Sequence, residues 1–348
     1  MPRVVGIDAG TVSLDICGLV DGRLYLDRTW PTAEALADPD GFLAELVRGG
    51  APDLVVGPSG YGLPVSASRA LTEEELRLAF LAGPDERGGI GGLRAFARRL
   101  AESDVPVAFL PGVVQLDTVP VHRKVNRVDL GTADKVAATA LAIDDQQRRT
   151  GRSADDISLI LLELGGAFTA AVAVHRGRIV DGLGGSSGPI GWRAPGALDG
   201  EVAFLAGHVD KALIFAGGAE AVAESVGRAA AIDAYVEGAV KAVVQLRVSA
   251  PDAGEVLVSG RGGADHDLLA RLQRALSGIE VQRLEGFATV AKQGAQGAAL
   301  LADGLAGGRY ETLVRRLWIR EAGGTVLDHL HVIAPATARR RLGLDAEI

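Results

Sequence analysis

The amino-acid sequence predicts an α/β protein built as two similar halves, and three observations carry that reading. A chain of 348 residues exceeds one ordinary core and points to two domains of about 150 residues each. Wholly apolar runs such as Leu54-Val55-Val56-Gly57 follow helical patterns, as strands of a parallel, doubly covered sheet do. Finally, a pattern of strand, acid, glycine turn and strand near the start returns past mid-chain. There Glu163 and Gly165 keep the relation of Asp8 to Gly10, and such a duplication is hard to reach by accident.

Composition narrows the function classes. Hydrophobic residues make up 48% of the chain, enough for both halves to pack a core. The net charge is −8, with no long basic block, so nucleic acid is not an expected partner. The single cysteine, Cys17, excludes disulfides and cysteine-ligated metal sites within a monomer and fits a reducing compartment. The chain runs from Met1-Pro2-Arg3 straight into a strand, without a signal-peptide pattern. Nor is any apolar run long enough to span a bilayer. The expectation is a soluble, cytoplasmic protein with no membrane partner.

The first half opens with Val4 to Val20, two buried strands joined by a tight turn. Gly10 reaches backbone conformations closed to other residues, and the amides of Gly10, Thr11 and Val12 can then face an anion. Thr11 and Ser13 add hydroxyls, and Asp8 stands where a magnesium ion on that anion would need an oxygen ligand or a water partner. Asp21-Gly22-Arg23 is a turn into a third strand over 24–30. Helical spacing follows over 32–48, then the strand 54–57, whose loop 57–64 lies where open α/β sheets bind ligands. Helices are expected over 73–81 and 91–103, joined through Gly83-Pro84 and Arg87-Gly88-Gly89. A buried strand over 105–111 comes next. The run His122-Arg123-Lys124-Val125-Asn126-Arg127-Val128-Asp129-Leu130-Gly131-Thr132-Ala133-Asp134-Lys135 packs cations and acids just before a helix over 136–149, with Thr132 as its N-cap.

Thr150 to Asp156 is polar and marks the domain boundary. Ile157 to Val174 then repeats the opening hairpin, with Gly165-Gly166 at the turn and Thr169 beyond it. Residues 182–201 form a long glycine-rich loop carrying Arg193, and so long a loop in a compact domain is usually functional. Helices are expected over 201–210, 219–249, 266–277 and 289–305. Glu255 to Ser259 reads as a strand entering the glycine turn Gly260, Gly262, Gly263, where a flat ring can lie against bare backbone. Ile279-Glu280-Val281 is the last strand.

Two acid–glycine hairpins plus a later strand–glycine–helix unit resemble the superfamily of acetate and sugar kinases, heat-shock chaperone ATPases and actin. Within it the chain is most similar to acetate and butyrate kinases, through the loop 184–201, and to an uncharacterised family of predicted butyrate-kinase-like proteins, whose signature the run Val119 to Lys135 resembles. The resemblance implies two ribonuclease-H-like (actin-like ATPase) domains, 1–152 and 153–305, with a nucleotide cleft between them and an extension over 306–348. It further implies ATP and Mg2+ as cofactors, a small-molecule substrate, and allows a homodimer. Gly10, Thr11, Ser13, Gly165, Gly166 and Thr169 would meet phosphates. Ser259, Gly260, Gly262 and Gly263 would meet adenosine, and Asp8 and Glu163 magnesium. Arg123, Arg193, His122 and Asp134 would be catalytic. The second turn reads Gly165-Gly166-Ala167 where acetate kinases usually show Gly-Asn-Gly, and no clear His-Gly-Gly substrate motif is present.

Two chemistries follow from this reading. A carboxylate acceptor is already ionised and attacks the γ-phosphate without a base, so catalysis is positioning and charge neutralisation. An alcohol acceptor needs a proton acceptor, for which Asp117 and Asp134 are the candidates. A third possibility is an ATPase or nucleotide sensor of the same fold with no small-molecule acceptor.

Overall fold

The computed structural model describes residues 2–65, 71–83, 86 and 89–344; Pro84, Arg87 and Gly88 of the expected helix junctions lie outside them. The strands are β1 Arg3–Ala9, β2 Ser13–Val20, β3 Arg23–Pro31, β4 Leu54–Gly57, β5 Val107–Phe109, β6 Leu159–Leu164, β7 Thr169–His175, β8 Arg178–Leu183, β9 Glu255–Ser259 and β10 Glu280–Arg283. They form two five-stranded sheets, ordered β3-β2-β1-β4-β5 and β10-β9-β6-β7-β8. In both, the first strand pairs antiparallel with the second and parallel with the fourth. The second sheet thus repeats the first strand for strand.

The repeat extends to irregularities. One offset of 155 residues separates Asp8 from Glu163, Gly10 from Gly165 and Gly22 from Gly177. The register slips between Gly18 and Leu19 in one copy and between Ala173 and Val174 in the other. Both second turns take positive φ at two residues, Asp21-Gly22 and Arg176-Gly177, which matches the twist of a two-residue hairpin.

Contacts divide the chain into two units: Met1–Val128 with Thr132–Leu141 and Gly286–Ile348, and Asp129–Gly131 with Ala142–Glu285. This differs from the boundaries expected at 152/153 and 305/306, and the reason is local. In the first unit the helix Gln293–Leu305 lies directly on β1, because a Cβ at Gly6 would stand 2.2 Å from the Ala299 nitrogen. The same helix meets the Ala137 carbonyl at Gly297, where a Cβ would come within 1.8 Å of the oxygen. Bare glycine and alanine faces let these backbones touch. Beyond the helix, Val314, Leu317 and Ile319 are buried. The other face of the first sheet packs Val5, Ile7, Leu14 and Ile16 with Phe42, Leu76 and Phe96. In the second unit Ile160, Leu162 and Leu164 pack with Tyr235, Val243 and Leu246 of the helix Arg228–Leu246.

Two expected helices are broken. Residues 32–48 form Thr32–Ala37 and Pro39–Val47, because Asp38 accepts from the Gly41 amide and caps a new helix with Pro39 at its first turn. Residues 219–249 form Ala219–Val226 and Arg228–Leu246, interrupted by Gly227 at φ 86°. Thr132 stands at the N-cap position of the helix Ala133–Thr150, its carbonyl accepting from the Val136 amide and its hydroxyl donating to Asp134. Among the described residues no helix is long and apolar enough to cross a membrane.

Gly6→Ala is expected to destabilise the protein by about 2–3 kcal/mol, because the new methyl group meets rigid backbone. Gly254→Ala, with nothing within 4 Å, serves as the silent control. Urea denaturation followed by circular dichroism checks both.

Candidate active site

In the first unit the chemistry gathers at the β1–β2 turn. Asp8 closes β1 and is 9% exposed; Asp15, opposite it on β2, is 1% exposed. The Gly10 amide donates to the Ser13 carbonyl at 2.9 Å, and Thr32 Oγ1 donates to the Gly10 carbonyl at 2.7 Å. The expectation that the Gly10 amide faces an anion is therefore corrected, since that amide closes the turn. Thr11 and Val12 are the exposed residues here. Ser13 Oγ donates to Asp15 Oδ2 at 2.9 Å, which orients the hydroxyl inward.

Sequence reasoning expects a helix over 289–305 but not that its start completes this turn. Lys292, the N-cap residue of Gln293–Leu305, places Nζ 2.8 Å from Asp15 Oδ2 and 3.0 Å from the Ser13 carbonyl. A Cβ at Gly294 would stand 2.6 Å from Asp8 Oδ2, so Asp8 sits against the positive end of that helix. The approach is fixed from β3. The Asp27 carboxylate accepts from the amides of Thr289, Val290 and Ala291 at 2.9, 3.0 and 2.7 Å. Burial alone would raise the Asp27 pKa, but these donors outweigh it and hold the carboxyl below its ordinary value.

The segment before the helix Ala133–Thr150 separates into two kinds of residue. His122 is exposed and Arg123 half-buried on the short helix Val121–Lys124. Lys124 turns inward to donate to the Leu116 carbonyl at 2.9 Å. Asn126, at φ 55°, takes the His329 carbonyl on its amide and the amides of His331 and Val332 on Oδ1. Lys124 and Asn126 thus hold the fold. Asp134 accepts from Thr132 Oγ1 at 2.5 Å and from Lys135. Burial pushes its pKa up, yet the neighbouring ammonium and hydroxyl dominate and keep it below the ordinary carboxylate value. Asp117 is exposed.

In the second unit Glu163, Gly165, Gly166, Arg193, Gly260, Gly262 and Gly263 come together at the carboxyl ends of β6 and β9. Glu163 pairs in register with Ser259. The Gly165 amide donates to the Phe168 carbonyl at 3.0 Å, so it too closes its turn rather than facing a ligand. A Cβ at Gly260, whose φ is +77°, would lie 2.6 Å from the Leu164 carbonyl, and one at Gly262 2.5 Å from Leu164 Cβ. Only bare backbone lets the β9 turn lie against the end of β6. Thr169 and Ser259, expected as ligand donors, are 0% and 1% exposed, with hydroxyls in the interior.

Arg193 is bound into the Gly165–Phe168 turn. Its Nε donates to the Gly166 carbonyl at 3.1 Å and its amide to the Ala167 carbonyl at 3.0 Å. Arg261, which sequence reasoning passed over, runs beside the same turn, its Cδ 3.5 Å from a Cβ position at Gly166. The glycine-rich loop is anchored by Asp129. That carboxylate accepts from the Gly131 amide at 3.1 Å, the Ser186 amide at 3.0 Å and Ser186 Oγ at 2.9 Å. A Cβ at Gly184 would fall 1.8 Å from Asp129 Oδ1. Asp129→Ala is expected to cost about 3 kcal/mol, since it leaves buried donors unmet. Thermal melting measures that loss, and limited proteolysis should newly cleave near Ser186.

The sequence matches no curated protein. Among solved structures it is similar to a propionate kinase from Francisella tularensis subsp. tularensis SCHU S4, with TM-score 0.59 and 11% identity over 85% of this chain and 99% of that one. An acetate kinase from Entamoeba histolytica gives 0.57 and 12%, over 78% and 85%. The Porphyromonas gingivalis acetate kinase gives 0.54 and 12%, over 85% and 94%. These likenesses show a fold shared with the propionate and acetate kinases, in line with the resemblance drawn from the motifs. Matched by its family model over residues 6–332, the chain belongs to the family described as Protein of unknown function (DUF1464).

Proposed function

We propose that this protein is an ATP-dependent phosphotransferase whose acceptor is a short carboxylic acid. One observation supports this above all: the repeated acid–glycine turn. It occurs at Asp8–Ser13 and Glu163–Thr169, each at the carboxyl end of its unit's first strand. The second copy carries an arginine tied to the turn and a glycine turn suited to a planar ring. Both copies have the parts that phosphate recognition needs, namely a tight turn, a carboxylate and nearby positive charge.

Magnesium fits these turns in one manner only. Among the described residues no three His, Cys, Asp or Glu side chains could hold a metal ion together, so an all-protein cage is not on offer. One carboxylate per turn, Asp8 or Glu163, suits an ion that keeps most of its waters and takes its other ligands from phosphate. When bound, Mg2+ neutralises charge on the transferring phosphoryl group. Arg193 in the second unit is the residue assigned to that charge; Arg123 and His122 are candidates within the first unit by itself.

The contacts of Asp134 with Thr132 and Lys135 occupy one of the two candidate bases, which supports an acid over an alcohol as acceptor. A carboxyl held below its ordinary pKa is a weak proton acceptor, whereas a carboxylate substrate needs none. A second reading, an ATPase or nucleotide sensor without acceptor, draws support from Lys124 and Asn126. Both are committed to the fold, which thins the set of groups left to hold a substrate.

The two readings separate in one assay. Protein, ATP, Mg2+ and a panel of short acids are incubated with hydroxylamine, which traps acyl phosphate as hydroxamate. Hydroxamate is expected with at least one acid, reduced about 10²–10³-fold in Arg193→Ala; Asp8→Asn should abolish magnesium-dependent ATP binding. ATP turnover with no hydroxamate from any acid supports the ATPase reading instead.

A further inference from the structure

We infer that Lys292 is a direct ligand of the anion that enters the Gly10 turn, a catalytic residue contributed by the helix Gln293–Leu305. This rests on the phosphotransferase reading only in taking that anion to be a nucleotide phosphate. The geometry is specific. Lys292 Nζ would stand 2.8 Å from a Cβ at Gly10, so the ammonium lies directly over the bare backbone of the turn. Its side chain is 35% exposed, whereas that of its partner Asp15 is 2% exposed. The ammonium therefore bridges a buried carboxylate and the open side of the turn.

Asp15 and the Ser13 carbonyl aim this lysine rather than sequester it. An ammonium carries three donors on a compact head, so it can keep both protein acceptors and still meet a phosphate oxygen. Asp27 prevents retreat, since its grip on the amides of Thr289, Val290 and Ala291 fixes the backbone immediately before Lys292. The Gly10 amide is committed to Ser13, which leaves the turn in need of a cation from another part of the chain. Lys292 also offsets the charge of Asp15, the carboxylate that faces Asp8 across β1 and β2.

The test compares ATP·Mg2+, adenosine and tripolyphosphate as titrants of wild type, Lys292→Met, Lys292→Arg and the double variant Asp15→Asn/Lys292→Met. Lys292→Met alone leaves a buried carboxylate unpaired and is expected to be unstable. The double variant removes both charges and keeps the fold, as melting will verify. In it the Kd for ATP·Mg2+ and tripolyphosphate should rise at least about tenfold, as for a lost charge-assisted hydrogen bond, with adenosine changing less than about twofold. Lys292→Arg should recover part of the loss.

Equal weakening of ATP and adenosine, or wild-type affinity for ATP in the folded double variant, overturns the assignment and makes Lys292 a packing residue. If wild type binds tripolyphosphate through Lys292 but not ATP, the assignment stands and the kinase reading fails. If wild type binds neither, both fail.

Discussion

The first unit's site depends on a place where two backbones touch. Gly6 has no side chain, and the helix Gln293–Leu305 rests on β1 there, with Ala295 and Ala299 against the strand. That contact sets how far the helix reaches. One turn before Ala298, Gly294 meets the Asp8 carboxylate, and two residues earlier Lys292 meets Asp15. A methyl group at position 6 would lift the helix and with it the cation and the helix end. Packing and electrostatics are thus one constraint: the distance that closes the core also places the charges.

The second unit reaches a similar result by a different route. Its first strand carries Glu163 one residue before its end at Leu164, and the element laid against that end is the β9 turn, held close by Gly260 and Gly262 on Leu164. Its positive charge comes from arginines, one anchored by backbone and side chain to the turn it serves. The two copies keep strand order, register slip and turn geometry, while the elements that complete them differ. Such a pattern arises where the repeated part is fixed by backbone geometry and the completing part by what each turn must hold.

Much of this was legible in the residues. Period-two and wholly apolar runs located the strands, and the acid–glycine spacing exposed the duplication, because both are local. What escaped was long-range. Lys292 follows an alanine in a helix-like stretch, and no spacing rule joins it to Asp15, 277 positions away. No local pattern marks Asp15, which is buried and paired. The amides of Gly10 and Gly165 were expected to face a ligand; a tight hairpin needs them for its own closure. Thr169 and Ser259 have the chemistry of donors, but the alternation that puts their neighbours in the core puts them there too. The breaks at Asp38-Pro39 and Gly227 carried local signals, a cap with proline and a glycine, that helical periodicity on either side concealed.

Lysine in one unit and arginine in the other suit different tasks. Arg193 has its Nε on the Gly166 carbonyl and its amide on Ala167, so its planar fork is fixed relative to the turn before any ligand arrives. A fixed fork suits recognition of a group whose position does not change. Lys292 has a flexible stem with its base anchored through Asp27 and its head shared between Asp15 and Ser13. Its ammonium can shift between acceptors without moving the backbone. The same logic accounts for Asp15 being an acid and not an amide. A carboxylate in the interior is costly unless it is paired, so it holds the ammonium at the turn, and an incoming anion need only share a cation already desolvated on one side.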